Sequence, residues 1–252
     1  MILDDAHESE VDEENYFVSM TDMMVGLVFI FIIMLMYFAL QFQDITDQMT
    51  GADRQRAEIL RELQQTLKEK GVEVSIDTQN GVLRLPDAIL FDSGRAELKA
   101  DGRVAVGHLA DALAEVLPCY TDARDGALRR PAACPDTAYR IESVYIEGHT
   151  DVDALSGGGA MRDNLDLSAF RATNTFRALI DHRQEIAGRC TKKGSECAAV
   201  LSVSGYGSER PVVVGNDDAA KRSNRRIDLR LIMVAPDSTA AIQAVSRELV
   251  AK

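Results

Sequence analysis

Residues 139–151 read YRIESVYIEGHTD, and this stretch decides the fold that the chain is expected to adopt. Residues 139–148 combine β-branched and aromatic side chains and end at a glycine, which predicts a β-strand. The polar residues His149, Thr150 and Asp151 follow directly. The stretch therefore predicts a strand that carries an acidic side chain at its C-terminal end.

Strands and helices alternate on both sides of this strand. Residues 72–85 (VEVSIDTQNGVLRL) alternate around Asn80-Gly81, a strong hairpin signal. Residues 95–117 predict an amphipathic helix closed by Pro118, and residues 118–138, rich in proline, predict a surface loop. Further elements are expected as follows: a helix at 164–183 capped by Asn164 or Asp166, strands at 198–207 and 226–234, and a final helix at 236–252. This order predicts an α/β (α+β) domain with one sheet and helices on one face.

Five short motifs in this region occur in a fixed order. They are ILFDSGRAEL (89–98), IEGHTD (146–151), NLDLSAFRA (164–172), SGYGSERP (204–211) and RSNRRIDLRL (222–231). Together they resemble the OmpA-like peptidoglycan-binding domain over residues 72–234. The resemblance implies a βαβαβ domain with one mixed sheet, bound to peptidoglycan.

The expected binding residues have the chemistry that such a ligand needs. A cell-wall diamino acid carries an ammonium and a carboxylate on one carbon, so its site needs an anion and a cationic fork close together. Asp151 and Arg171 can supply that pair, although a structural salt bridge between them is the alternative. The resemblance implies that Asp92 and Asn164 line the same pocket. Arg225 and Arg226 match the family's NRR motif as wall-binding residues, and we expect one of them at the rim of the pocket. The segment 152–163 (VDALSGGGAMRD) is longer and richer in glycine than the usual family loop.

An enzyme is not expected. His149 lies two residues from Asp151, but no Cys or His cluster with metal-ligand spacing accompanies it. SGYGSERP lacks the third glycine of a dinucleotide loop. We interpret His149 as a structural residue at a strand end, and we expect neither a metal nor another cofactor.

The N-terminal region predicts a membrane anchor. The eighteen residues from Met23 to Leu40 carry no charge and span about 27 Å as a helix. A signal peptide has a basic start and a small-residue cleavage site, whereas residues 1–15 contain seven acids and no Lys or Arg. An uncleaved single span over residues 16–42 therefore fits better.

Asp22 is the charged residue that borders this apolar run. Ser19, Thr21 and Asp22 are all good N-cap residues, so Asp22 fits a helix cap at the level of the lipid headgroups. The apolar residues Tyr16 to Val18 instead extend the helix upstream, and an intramembrane carboxylate marks an ion path. The span alone leaves both hypotheses open.

Residues 43–71 predict a linker helix ended by Gly71. Its narrow apolar seam consists of Ile45, Met49, Ala52, Ile59, Leu63 and Leu67. A parallel coiled coil between two copies fits this seam, and so does a solvated monomeric stalk.

The net charge and the cysteines of the chain indicate which partners and which cell compartment are expected. The net charge is −12, which argues against nucleic-acid binding. Four cysteines allow three pairings, and the simplest has two local bridges, Cys119 with Cys134 and Cys190 with Cys197. Disulfides need an oxidising compartment, which favours a periplasmic C-terminal domain, whereas the arginines that follow the span weakly favour the reverse orientation. Free thiols in the cytosol are the alternative. We expect the N-terminus to be cytoplasmic.

The whole layout is similar to that of MotB-type stator subunits. It consists of tail 1–15, membrane helix 16–42, linker helix 43–71, wall-binding domain 72–235 and C-terminal helix 236–252. The resemblance implies a homodimer in the bacterial inner membrane, surrounded by five MotA-type multi-span subunits.

Within that family, MTDMMVGL places Asp22 as the ion-accepting carboxylate, for H⁺ or Na⁺. The acidic tail, the cysteine-bracketed loops and the span are more similar to ZorB, the stator subunit of the Zorya anti-phage system (with ZorA as the multi-span partner), than to flagellar subunits. Two other classes stay open. A passive wall tether has the same outer domain without needing Asp22, and a TolR/ExbD-like transducer has a different periplasmic fold.

Overall fold

The structure is a computed structural model that describes residues 5–235, apart from 125–129, 156–160 and 194. It forms two compact units, one that ends at Met49 and one that runs from Thr50 to Ala235. The helix expected at 236–252 and the middle of the Gly-rich segment lie outside the described residues.

Helix α1 runs from Asp5 to Glu69. Within it, Met20–Gln43 is a 24-residue stretch of mean hydropathy 2.7, long and apolar enough to cross a membrane. At 1.5 Å per residue it measures about 36 Å. Asp22 lies inside α1, well after its first residue, so Asp22 does not cap this helix. The capping hypothesis is therefore wrong.

The C-terminal part of α1 belongs to the second unit. Ala52, Ile59, Leu63 and Leu67 are buried in its hydrophobic core, together with Leu60. These seam residues are therefore not available to a coiled-coil partner, and they are not on a solvated stalk either. Both expectations for the linker need correction from Ala52 onward, because the domain itself supplies the apolar surface that the seam packs against.

The described residues of the second unit form eight strands and five further helices. The strands are β1 Ser75–Asp77, β2 Val82–Pro86, β3 Asp122–Ala123, β4 Ile141–His149, β5 Arg189–Lys193, β6 Glu196–Ala199, β7 Leu201–Gly205 and β8 Arg226–Met233. The helices are α2 Asp87–Leu90, α3 Ala100–Tyr120, α4 Asn164–His182, α5 Gln184–Ala187 and α6 Asp218–Asn224.

The main sheet is mixed and has the order β1-β2-β8-β4-β7. Only the β4–β7 pair is parallel among the described strands of this sheet, and the other neighbours are antiparallel. Helix α4 packs on β4 and β7, and α3 packs on α4. Side chains alternate along each strand, so Ile227, Leu229 and Leu231 join the core while Arg226 and Asp228 belong to the opposite face.

Several predicted elements need correction. A second, separate sheet has the strand order β3-β5-β6 within the described residues, whereas the sequence predicted a single sheet. The strand expected at 198–207 is divided between β6 and β7. Pro118 lies inside α3 instead of closing it. The N-cap of α4 is Asp163, whose carboxylate accepts a hydrogen bond from the Asp166 amide.

The two local disulfides are present, as predicted. Cys119 pairs with Cys134 and Cys190 pairs with Cys197, at Cα–Cα distances of 5.1 and 5.4 Å. The first joins the end of α3 to the loop after β3. The second joins neighbouring strands of the small sheet.

Candidate functional site: a cleft of paired charges

The site forms where β4 ends and α4 begins. Gly148 allows this approach, because a Cβ at this position would lie 2.0 Å from the Ser168 carbonyl oxygen. Any larger residue would push α4 away from the sheet. The glycine of IEGHTD thus brings the residues after β4 up to the first turns of α4.

Asp151 is the acidic group of the site and is only 8% exposed. Its Oδ2 accepts a hydrogen bond of 2.5 Å from Nη1 of Arg225. The side-chain amide of Asn164 donates to the carbonyl oxygens of Asp151 and Asp153, at 3.2 and 2.8 Å. Asn164 therefore fixes the loop that carries Asp151.

Arg171 has a different partner. Its side chain is 2% exposed, and its Nη1 lies 2.9 Å from Oδ1 of Asp87 without the alignment of a hydrogen bond. Its Nε donates to the Arg95 carbonyl at 2.8 Å, and its Nη2 donates to the Asp92 carbonyl at 3.2 Å. Its guanidinium also lies 5.0 Å from the centre of the Phe91 ring. The direct Asp151–Arg171 bridge considered from the sequence is not formed, and each residue has its own counter-ion.

Asp87 is the residue that sequence reasoning missed. It is 5% exposed, and Nε of Arg225 lies 4.0 Å from its Oδ2. Burial raises the pKa of Asp87 to about 6, although Arg171 and Arg225 act in the opposite direction. Burial also lowers the pKa of Arg171. The sequence PDAILF contains no signal for this role, since an acid in the first turn of a helix is an ordinary feature.

These charges surround a cavity of about 340 Å³. Its lining consists of Ser93, Gly94, Thr150, Asp151, Asp153, Ala154, Leu155, Asn164, Leu167, Arg171 and Arg225. We call it the charged cleft. Lys221 lies 2.7 Å from Asp153 and adds a cation beside its wall. Asp92 contributes its backbone carbonyl to Arg171, but its carboxylate is exposed and is not part of the lining, contrary to the expectation.

Arg226 does not reach the charged cleft. As the first residue of β8 it lies on the sheet face away from the helices, and its Nε donates to Asp228 at 2.9 Å. Of the two arginines, Arg225 lines the charged cleft, whereas Arg226 belongs to a buried network and is not part of the cleft lining.

His149 belongs to the same buried network. Its ring stacks on Tyr206 at 5.3 Å between centroids, and neither ring nitrogen has a hydrogen-bond partner within the described part of the chain. Burial lowers the pKa of His149 to about 3, and Arg226 and Arg230 act in the same direction, so these effects outweigh the two nearby carboxylates. His149 is therefore neutral.

Glu147, His149 and Asp228 place potential metal-ligand atoms within 4.8 Å of one another. Arg230 already contacts Glu147 at 2.9 Å, and Arg226 contacts Asp228 at 2.9 Å. A divalent cation would have to displace these guanidinium groups or add its charge beside them. The group is better explained as a structural ion-pair network.

Comparison with known proteins agrees with this architecture. No protein-family model matches the chain. Motility protein B of Bacillus subtilis (strain 168) is 23% identical over 187 residues, which cover 72% of this chain and 58% of that protein. The match thus spans little more than half of the relative.

Among solved structures, a MotB-like protein from Desulfovibrio vulgaris has a TM-score of 0.50 and 22% identity, covering 76% of this chain and 98% of that one. The periplasmic domain of Helicobacter pylori MotB has a TM-score of 0.45 and 18% identity, covering 66% and 85%. The first of these likenesses establishes the fold: an N-terminal apolar helix is followed by a MotB-like domain with a mixed sheet. The predicted fold class is confirmed.

Proposed function

We propose that the second unit anchors the protein to peptidoglycan and that the charged cleft binds the zwitterionic centre of a wall diamino acid. The observation that carries this proposal is that two opposite charges, Asp151 and Arg171, line one cavity. Each of them also has an ion-pair partner, Arg225 for Asp151 and Asp87 for Arg171. The ligand ammonium would bind Asp151 and the ligand carboxylate would bind Arg171, beside the ion pairs that these residues already form with Arg225 and Asp87. The five ordered motifs, which resemble those of OmpA-like wall-binding domains, support the same assignment.

Binding of the full chain in detergent to purified sacculi tests this proposal. Asp151→Asn keeps the shape of the side chain but removes its charge, and we expect it to weaken binding by about tenfold or more. Asp92→Asn is the matched control, because that carboxylate is exposed and does not line the cleft. Equal binding by both variants and the wild type would contradict the assignment.

We further propose that the chain is the peptidoglycan-anchored stator subunit of an ion-driven inner-membrane motor, with Asp22 as its ion-accepting carboxylate. Asp22 lies two residues inside the Met20 end of the apolar stretch, about 3 Å along the helix axis. A carboxylate there needs a polar partner, which a second copy and a ring of MotA-type or ZorA-type multi-span subunits would supply. The transported ion is H⁺ or Na⁺.

Ion flux in vesicles that contain the chain with its multi-span partner tests the role of Asp22. We expect Asp22→Asn to abolish flux and Asp22→Glu to retain part of it, since only the latter can release a proton or bind a cation. Asp47→Asn, outside the apolar stretch, is the control. Full activity of Asp22→Asn would leave a passive wall tether as the better account. A TolR/ExbD-like transducer does not fit, because its periplasmic fold differs.

The proposed topology places the N-terminus in the cytoplasm and the second unit in the periplasm. The two disulfides support it, because they require an oxidising compartment. Alkylation of intact cells followed by mass spectrometry should find all four cysteines protected until a reductant is added. Four freely alkylated thiols would reverse the orientation.

We favour a role in Zorya-type anti-phage defence over flagellar motility. The acidic residues at the N-terminus and the two disulfide-bracketed segments support this, whereas the named relative is a motility protein. Deleting the gene should lower resistance to phage and leave swimming unchanged. Lost swimming with unchanged resistance would assign the chain to a flagellar motor.

A further inference from the structure

A second cavity of about 270 Å³ adjoins the charged cleft and shares Arg225 with it. Its remaining lining includes Pro86 and Val212. Every polar side chain in this lining can donate hydrogen bonds: Ser75, Arg84, Arg222, Ser223, Arg225 and Arg226. A cavity whose polar walls are guanidinium and hydroxyl groups selects a ligand that accepts hydrogen bonds and carries negative charge.

The arginines are held in place from behind. Arg226 donates to Asp228 at 2.9 Å and to two backbone carbonyls, which fixes its plane. Arg84 contacts Asp77 at 3.2 Å. Its Nε is buried, has no hydrogen-bond partner among the residues that the structure describes, and lies 3.6 Å from Asp228. Because these side chains are already ordered, a ligand would not have to order them.

The charged groups around this second cavity indicate the sign of the charge that its ligand should carry. The four arginines have four carboxylate partners, namely Asp77, Asp228, Asp151 and Asp87. Asp87 also pairs with Arg171, so five arginines share these four carboxylates. The cavity therefore keeps one positive charge that these carboxylates do not balance, and Arg222 is exposed at its rim. A single carboxylate or phosphate group would complete the balance.

We propose that this cavity is an oxyanion site that binds a second anionic group of the wall polymer, while the charged cleft holds the zwitterionic centre. The proposal rests on the proposed wall-binding function. Arg225 lies between the two cavities and contacts Asp151, so the two bound groups would belong to neighbouring parts of one ligand. A carboxylate of the adjacent peptide residue and a wall phosphodiester share the required chemistry.

Calorimetry of the full chain in detergent with three soluble probes tests the carboxylate source. The probes are free 2,6-diaminopimelate, a stem peptide that contains it next to a free carboxylate, and the same peptide with that carboxylate amidated. Free diaminopimelate lacks the carboxylate of the adjacent peptide residue, so Arg222→Ala should change its affinity by less than about twofold. The peptide with the free carboxylate should bind about five- to tenfold more weakly to Arg222→Ala, and the amidated peptide should not distinguish the two proteins.

Two further variants sharpen the result. Arg84→Lys keeps the charge but removes the planar guanidinium group. We expect it to weaken binding of the peptide with the free carboxylate and to leave binding of the other two probes unchanged. Arg103→Ala removes an exposed arginine that lines a different cavity with Glu97 and Asp181, and it should behave like the wild type. Thermal unfolding of each variant shows whether it is folded.

Sacculi before and after hydrogen fluoride treatment, which removes phosphodiester-linked polymers, test the other source. If the Arg222-dependent part of binding disappears with that treatment, the oxyanion is a wall phosphate. If Arg222→Ala and Arg84→Lys bind every probe as Arg103→Ala does, the second site is refuted and the charged cleft stands. If the wild type binds no probe, the wall-binding function fails as well.

Discussion

Asp87→Asn should change how the stability of the protein depends on pH. Burial raises the pKa of Asp87 from 3.8 to about 6. Since each factor of ten in proton affinity is roughly 1.4 kcal/mol, the difference corresponds to about 3 kcal/mol. Because the folded chain binds this proton more tightly than the unfolded chain, the contribution is fully present below pH 4 and is lost as the pH rises through about 6.

The asparagine variant cannot lose this contribution, because its side chain does not ionise. Asp87→Asn should therefore gain up to about 3 kcal/mol relative to the wild type between pH 4 and pH 7. The competing effect is the loss of a counter-ion for buried Arg171, which costs several kcal/mol in other buried pairs. That loss applies only where Asp87 is charged. The raised pKa means that burial outweighs the attraction of Arg171, so the gain should prevail.

Denaturant unfolding of the full chain in detergent, at pH 4, 5, 6 and 7, measures this difference. Other groups titrate in the same range, so the informative quantity is the wild type minus the variant at each pH. Asp92→Asn removes an exposed carboxylate from the neighbouring loop and controls for net charge. If the difference in the free energy of unfolding between wild type and Asp87→Asn were the same at every pH, Arg171 would fully compensate for the burial of the carboxylate. A difference of opposite sign would show that the ion pair stabilises the fold, and either result would refute the reasoning.

Three further substitutions follow from the packing. In the wild type, the low pKa of His149 should cost at most about 5 kcal/mol of stability as the pH falls from 6.5 towards 3. His149→Phe keeps the stack on Tyr206 and loses no hydrogen bond, so it should remove this loss. An unchanged acid unfolding transition would contradict this. Gly148→Ala places a Cβ 2.0 Å from the Ser168 carbonyl oxygen and should cost about 3 kcal/mol or more, seen as a large fall in Tm. Gly51→Ala places a Cβ 1.8 Å from the Tyr139 hydroxyl, the end of a side chain that can move, and alanine gains up to about 1 kcal/mol over glycine inside a helix. The net change should therefore be within about 1 kcal/mol, seen as a small shift in Tm, and a large fall in Tm would contradict this.

Local chemistry explains why parts of the fold could be predicted. Asn80-Gly81 joins β1 to β2, and Gly81 has φ +70°, a conformation that glycine adopts without strain. The small sheet could not be predicted, because Arg189–Lys193 is polar and pairs through distant partners. Its register joins Cys190 to Ala199 within the hairpin and to Asp122 far away in the chain. Such pairing depends on tertiary context and leaves no period in the sequence.

The candidate site was predictable in its residue types but not in its pairs. Asp151, Asn164 and Arg171 do line one cleft, as the motifs indicated. The partner of Arg171 is Asp87, which lies far from it in the sequence and stands outside every motif that suggested binding. Arg225 and Arg226 are neighbours in sequence, but only Arg225 lines the charged cleft, since α6 ends just before Arg225 and the strand begins at Arg226. Which of two adjacent arginines serves the cleft is decided by this boundary.

Net charge decides how the chain can recognise a wall that also carries many negative groups. The protein has a net charge of −12, so its long-range field does not attract such a polymer. Around the charged cleft, however, Asp87, Asp151 and Asp153 are balanced by Arg171, Arg225 and Lys221. Repulsion between exposed charges is screened beyond about 8–10 Å at physiological salt, whereas the buried pairs are screened much less. The affinity for the wall should therefore come from contacts in the cleft and not from long-range electrostatic attraction. Added salt should raise the rate of association, because it screens the repulsion, and should weaken the contacts of the bound ligand only slightly.

A balanced cleft also disfavours a simple anion or a simple cation, because either one would leave a buried charge without its partner. A zwitterion brings both charges at once, and this is the physical reason why such a site suits a diamino acid.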